Sequence, residues 1–229
     1  MTIGVGGSTI EQEMGRLSDR TTDIQRIGTD TFHDRLKKLQ VKMREAGVDA
    51  TYLHGGTNLY YFTGLKWNPS ERMVAAIVPA EGDVRYVAPN FELDTLRDYW
   101  QIPGTIHAWE EHESPYELLR DVMAELGAPS GQLMIDEATP FFISDGIRKA
   151  CPELKLVAAQ PATQAIRSRK STEEIDLIRR AHEMTLEVHQ AAAAILREGI
   201  TTGEVVSFID DAHRKLGADA GSYFCIVLF

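Results

Sequence analysis

The sequence predicts an α/β protein: an N-terminal mixed sheet flanked by helices, followed by a mostly helical segment that leads into one last strand. Three observations carry that reading. Short apolar runs rich in β-branched residues alternate with stretches of helical period across residues 29–160. Two of those runs, MVAAIVP and VRYVAP, are joined by AEGD, the mark of an antiparallel hairpin. Past residue 160 the alternation stops, two helices with good caps follow, and an apolar run, SYFCIVLF, comes last.

Each element has its own signal. Residues 1–28 are polar, glycine-containing and without period, so they read as a flexible N-terminal arm. Thr29 or Asp30 opens a helix that carries Phe32, Leu36, Leu39 and Met43 on one face and is closed by Gly47. DATYLHG is a strand, and GTNLYYFTGLKWNPSER after it reads as loop. The hairpin follows, with Glu81, Gly82 and Asp83 as its turn, and Asn90 caps a short helix through Leu93 and Leu96. A strand at Thr105–Trp109 leads to Ser114-Pro115-Tyr116-Glu117, where Ser is the cap, Pro the first helical residue and Glu the third. That helix stops at Gly127; QLMID, a helix opened by Thr139-Pro140, and LKLVA complete the alternation. The composition shifts at Gln160-Pro161, which sets the expected domains as 29–160 and 161–229. In the second, Ser171 with Glu174 and Thr201 with Glu204 are capping boxes, and Gly199 is the expected end of the first helix.

Composition narrows the function classes. With 229 residues, 43% hydrophobic and 25% charged, the chain has ample material for a core. A net charge of -10 argues against a nucleic-acid partner, which needs clustered Lys and Arg. Cys151 and Cys225 lie in unrelated elements and read as reduced thiols. The first residues have neither a basic start nor an apolar core, and no apolar run is long enough to span a bilayer; the expectation is a cytoplasmic protein without a membrane partner.

Several motifs fail on physical grounds. Gly4-x-Gly6-Gly7 follows no strand, so it is no phosphate loop. His54-Gly55-Gly56 suits an oxyanion turn, but no Gly-x-Ser-x-Gly elbow exists to use it. His182 and His189 are seven residues apart, about 10 Å along a helix, too far for one zinc held at about 2 Å from each nitrogen. Asp210 and Asp211 with His213 point about 100° apart on a helix, and Glu110-Glu111-His112-Glu113 reads as a solvated turn before a helix cap.

Two segments stand out together. One is Asp49-Ala50-Thr51-Tyr52-Leu53 followed by Thr57-Asn58-Leu59-Tyr60-Tyr61-Phe62-Thr63-Gly64; the other runs Ile166-Arg167-Ser168-Arg169-Lys170-Ser171 to Glu174-Ile175 and Ile178-Arg179-Arg180-Ala181. In order, separation and intervening pattern they resemble the N-terminal domain, and the start of the catalytic domain, of the creatinase/prolidase/aminopeptidase P family of pita-bread-fold metallopeptidases. The resemblance covers about residues 30–229.

The resemblance implies a creatinase-type N-terminal domain, then the first helices and first strand of a pita-bread domain. It implies hydrolysis of Xaa-Pro peptide bonds, with a pair of divalent metals (Mn, Co or Zn) in a complete enzyme and proline-containing peptides as substrates. It also implies a homodimer. The family's ligands, two Asp, one His and two Glu, all follow the strand that SYFCIVLF resembles, so no catalytic residue and no metal ligand is assigned here. As written, the chain is expected to be a truncated copy, inactive alone and binding no cofactor. A non-catalytic peptide-binding module and a creatinase-like amidinohydrolase fragment are the alternatives. The loop after Gly64 corresponds to one that reaches the partner subunit's active site in several relatives. By resemblance, Trp67 walls a proline-sized pocket there and Arg72 pairs with a substrate carboxylate.

Overall fold

The computed structural model describes residues 6–229, which divide into two compact units: residues 27–169, and residues up to 26 together with 170–229. In chain order the elements are α1 (Ile10–Arg16), α2 (Thr29–Ala46), β1 (Ala50–His54), α3 (Thr57–Thr63), β2 (Ala75–Pro79) and β3 (Arg85–Pro89). A 3-10 turn at Asn90–Glu92 leads into α4 (Leu93–Tyr99), then β4 (Thr105–Trp109), α5 (Pro115–Glu125), β5 (Gln132–Ile135), α6 (Phe141–Ala150) and β6 (Lys155–Ala158). Three helices complete the described chain: α7 (Gln160–Arg167), α8 (Thr172–Ile195) and α9 (Thr202–Lys215).

Residues 27–169 form a six-stranded sheet in the order β4-β3-β2-β1-β5-β6, covered by helices on both faces. β2 runs antiparallel to both neighbours, while β3–β4, β1–β5 and β5–β6 are parallel. This is the mixed sheet the hairpin signal implies. Period-two alternation assigns the faces: Ala76 and Val78 of β2 face α2, α3, α4 and α7, whereas Ala75 and Ile77 face α5 and α6. β1 is central, and all five of its residues are buried, which explains why ATYLH carries no polar stripe. α2 closes at Gly47, which takes φ 65°, the left-handed conformation glycine adopts without penalty.

α3 departs from the expected loop. Asn, two tyrosines and two threonines are weak helix formers, yet Gly56 and Gly64 delimit one full run. The Gly64 N–H donates to Tyr60 O at 2.8 Å, and Leu59 and Phe62 lose all exposure. Burial outweighs local propensity here. The boundary expected near residue 160 also shifts, because Ala162 and Ile166 of α7 pack into the core of this unit; the division falls between Arg169 and Lys170.

In the other unit α8 and α9 pack through Met184, Val188, Ala191, Ile195, Phe208, Ala212 and Leu216. Both capping boxes form, with Ser171 and Thr201 accepting from the backbone of Glu174 and Glu204. α8 stops at Ile195, before Gly199. The N-terminal segment is not the loose arm the sequence suggested, within its described part. Thr9 and Gln12 make a capping box for α1, Leu17 is buried against the same core, and Arg180 holds Asp23 at 2.8 Å. Residues 1–5, with Gly4 of the glycine motif, lie outside the described residues.

Ser222–Phe229 is not the strand its apolar content suggested: no secondary structure forms there, and Tyr223, Phe224, Ile226, Leu228 and Phe229 are exposed. A strand needs a neighbour to take its N–H and C=O groups, and no strand among the described residues pairs with this segment. Among the described residues no helix is long and apolar enough to cross a membrane.

Candidate functional site

The region picked out by sequence lies where β1 ends. Gly55 and Gly56 follow His54; Gly56 has φ 138°, a backbone region closed to other residues in practice, and it turns the chain into α3. The return loop, residues 65–72, crosses this turn. A Cβ on Gly55 would meet Trp67 Cδ1 at 3.4 Å and Asn68 O at 3.5 Å, so the loop passes over this glycine at van der Waals distance. The far end is fixed by Trp109, whose Nε1 donates to Met73 O at 3.2 Å just before β2 begins.

Within that loop Trp67 is partly buried and packs against the core on the α2 side of the sheet. Arg72 is on the surface. Its Nε donates to Glu111 Oε1 at 2.7 Å, it also pairs with Glu71, and its guanidinium sits 5.4 Å from the Phe91 ring centre. The hydrogen bond from Arg72 holds the Glu111 carboxyl below its ordinary range, and the same bond raises the Arg72 pKa. Exposed pairs of this kind are weak and exchange readily; an incoming carboxylate competes with Glu111 for the guanidinium. Sequence reading grouped Glu111 with a solvated turn and missed that it holds the one arginine of interest.

α3 also carries the centre of a polar line that the sequence did not reveal. Asn58, on α3, donates from Nδ2 to Asp136 Oδ1 at 2.8 Å and accepts at Oδ1 from Arg167 Nη1 at 2.8 Å. A carboxylate only accepts and a guanidinium only donates, so a single amide orientation satisfies both. Ala138 N adds a 3.0 Å bond to Asp136 Oδ1. Burial nonetheless pushes the Asp136 pKa up, and Oδ2 has no hydrogen-bond partner among the described residues. On β1 the Tyr52 hydroxyl lies 3.1 Å from His54 Nδ1, and burial moves the Tyr52 pKa well up and the His54 pKa down. Both groups are therefore neutral at physiological pH.

The remaining polar clusters resolve into local contacts. Asp210 accepts from Ser222 N at 2.9 Å, Asp211 pairs with Arg214 at 3.1 Å, and His213 Nδ1 lies 2.8 Å from Ile209 O. Glu113 caps Glu110 N at 2.9 Å. Among the described residues no three His, Cys, Asp or Glu side chains are grouped so as to hold a metal ion. The donors present among the described residues therefore do not make up the metal-pair site of the resembled family.

Residues 35–169 match the family model of the creatinase/prolidase N-terminal domain. The chain is 25% identical over 198 residues to the putative dipeptidase YkvY of Bacillus subtilis, covering 86% of this chain and 54% of that protein. Among solved structures, dipeptidase PepE from Mycobacterium ulcerans superposes with a TM-score of 0.76 at 24% identity, covering 86% of this chain and 52% of that one. A prolidase from Thermococcus sibiricus superposes at 0.73 with 24% identity, covering 82% and 51%. At those identities the two structures speak for the fold. The chain spans about half the length of the relatives it matches. The family model covers more than half of the chain, over the same sheet and helices described above. This chain belongs to the creatinase/prolidase N-terminal domain family.

Proposed function

We propose that these residues are the N-terminal lobe and leading helices of an Xaa-Pro peptidase of the prolidase or aminopeptidase P type, working in the cytoplasm as a homodimer. The supporting observation is the family match over residues 35–169, together with relatives described as dipeptidases and prolidases. In this reading the 229 residues alone do not hydrolyse peptides, because the donor set for a metal pair is not assembled among the described residues. The lobe's contribution is the loop 65–72, packed over Gly55 and followed by the hydrogen bond that Met73 O accepts from Trp109. Trp67 gives it an apolar wall, and Arg72 offers a guanidinium that exchanges Glu111 for a substrate carboxylate across the dimer.

The test joins the chain to the C-terminal half of the Bacillus subtilis relative and assays dipeptides. The expected result is faster cleavage of Ala-Pro than of Ala-Ala, with Arg72→Ala raising KM at unchanged kcat and unchanged melting temperature. A folded, metal-loaded fusion that shows no preference for proline refutes the reading. A preference for proline that is indifferent to Arg72→Ala removes the role of the loop while leaving the family assignment intact.

A further inference from the structure

The outer side of α2 carries a feature that hydrolysis of peptides does not use. Asp34, Lys37, Lys38, Val41 and Lys42 follow each other at helical spacing along one stripe, and Ala165, Ile166 and Arg169 face them from α7 and the residues just past its end. Together they line a groove of about 610 Å³, within the range of ordinary ligand sites. The inner side of α2, with Leu36, Leu39 and Met43, is already committed to the core. The groove is therefore an additional surface of the same helix.

Its chemistry is specific. Lys37, Lys38, Lys42 and Arg169 set four cations against the single carboxylate of Asp34, in a chain whose net charge is -10. Lys42 holds Glu45 at 2.7 Å, whereas Lys37, Lys38 and Arg169 make no ion pair among the described residues. The floor is apolar: Val41 keeps 42% of its surface exposed, and Ile166 is only partly buried. Clustered like charges repel across distances within one screening length, about 8–10 Å, and an exposed valine between them gains nothing from water. An anionic partner with apolar side chains relieves both.

We infer that this groove docks a short acidic segment of another protein, helical and bearing two apolar side chains one turn apart. From Asp34 to Lys42 the lining spans nine residues of α2, a rise of about 12 Å or roughly two turns. That length suits the i, i+3 or i+4 anchors of a helix laid in a groove, flanked by Glu or Asp over the lysines. A nucleic acid is a poorer fit, since its charge continues past the groove onto a surface of the same sign.

The test is fluorescence anisotropy with the full chain and a labelled peptide of about 14 residues, roughly 21 Å as a helix, with Leu at two positions four apart and Glu around them. Saturable binding in the micromolar range is expected. Lys38→Glu with Arg169→Glu should weaken it about tenfold or more, and raising salt from about 0.05 to 0.3 M should weaken it further. Val41→Asp should do the same at unchanged circular dichroism, and a peptide with Lys in place of Glu should not bind. Absent binding, equal binding to the charge-reversed chain, or equal binding of the lysine peptide overturns the inference. So does sedimentation in which wild-type self-association is lost on Lys38→Glu with Arg169→Glu, which gives the groove to a second copy.

Discussion

Replacing Asn58 by Leu tests the buried polar line most directly. The change keeps about the same volume but removes both the 2.8 Å donor to Asp136 and the 2.8 Å acceptor for Arg167. Hydrogen bonds to charged groups contribute about 1.5–3 kcal/mol each, and stranding one buried partner of a charge network costs about 3–5 kcal/mol. The expected loss at pH 7.5 is therefore about 3–5 kcal/mol, or about 6–20 °C in the transition of the unit that holds the sheet. The loss depends on pH in a defined direction. Burial raises the Asp136 pKa above its ordinary value, so the stability tied to its neutral form is complete below the unfolded pKa of about 3.9 and lost as pH rises through the folded pKa. Removing the Asn58 amide raises that folded pKa further. The gap between wild type and variant should thus be narrower at about pH 4, where the lost acceptor for Arg167 still counts, and widest above neutrality. Calorimetry across that range reads both quantities, and Asn58→Leu with Arg167→Leu should be less than additive. A loss under about 1 kcal/mol, or a gap that does not change with pH, would show that the relay carries no charge-dependent stability.

Three further outcomes follow from particular contacts. Gly64 has φ 73°, and a Cβ there would lie 2.6 Å from Gln101 Cβ and 2.8 Å from Phe32 Cε2, so Gly64→Ala should cost about 2–4 kcal/mol in urea unfolding. Glu204, accepting from the Thr201 backbone and hydroxyl and from Arg197, is held at about 2, so its contribution persists above the ordinary carboxylate range and fades as pH falls through about 2. Thr201→Ala should move that titration upward, as read by carboxylate NMR. The exposed apolar residues of 222–229 should drive self-association, and Phe224→Ser with Leu228→Ser should shift sedimentation toward monomer.

Much of the fold was legible because its signals are local. Ser114-Pro115, Ser171 with Glu174, Thr201 with Glu204, and Gly47 each announce an end of a helix from within four residues, and each forms as expected. The same rule applied to Thr9 and Gln12 would have found α1, whose seven polar-rich residues show no period of their own. α3 was hidden for the opposite reason, since its stability comes from burying Leu59 and Phe62 and not from its residues' propensities. SYFCIVLF misled because apolar content sets what a segment prefers to bury, while pairing depends on a neighbour elsewhere in the chain. At the site, Trp67 and Arg72 were visible as a loop, but the partner Glu111 lies 39 residues away, and Asp136 and Arg167 lie 78 and 109 residues from Asn58. No short-range pattern links such positions.

The order of the sheet has a consequence for how the molecule comes into being. β1 sits between β2, its near neighbour in the chain, and β5, which is made about 80 residues later. At about 5–20 residues per second of synthesis, the edge of Ala50–Tyr52 that β5 will cover stays open for a few seconds after the β1–β2–β3 meander has formed. Chaperones that shield bare edges therefore have a defined interval in which to act on the nascent chain, and it closes only when Leu133 and Met134 arrive.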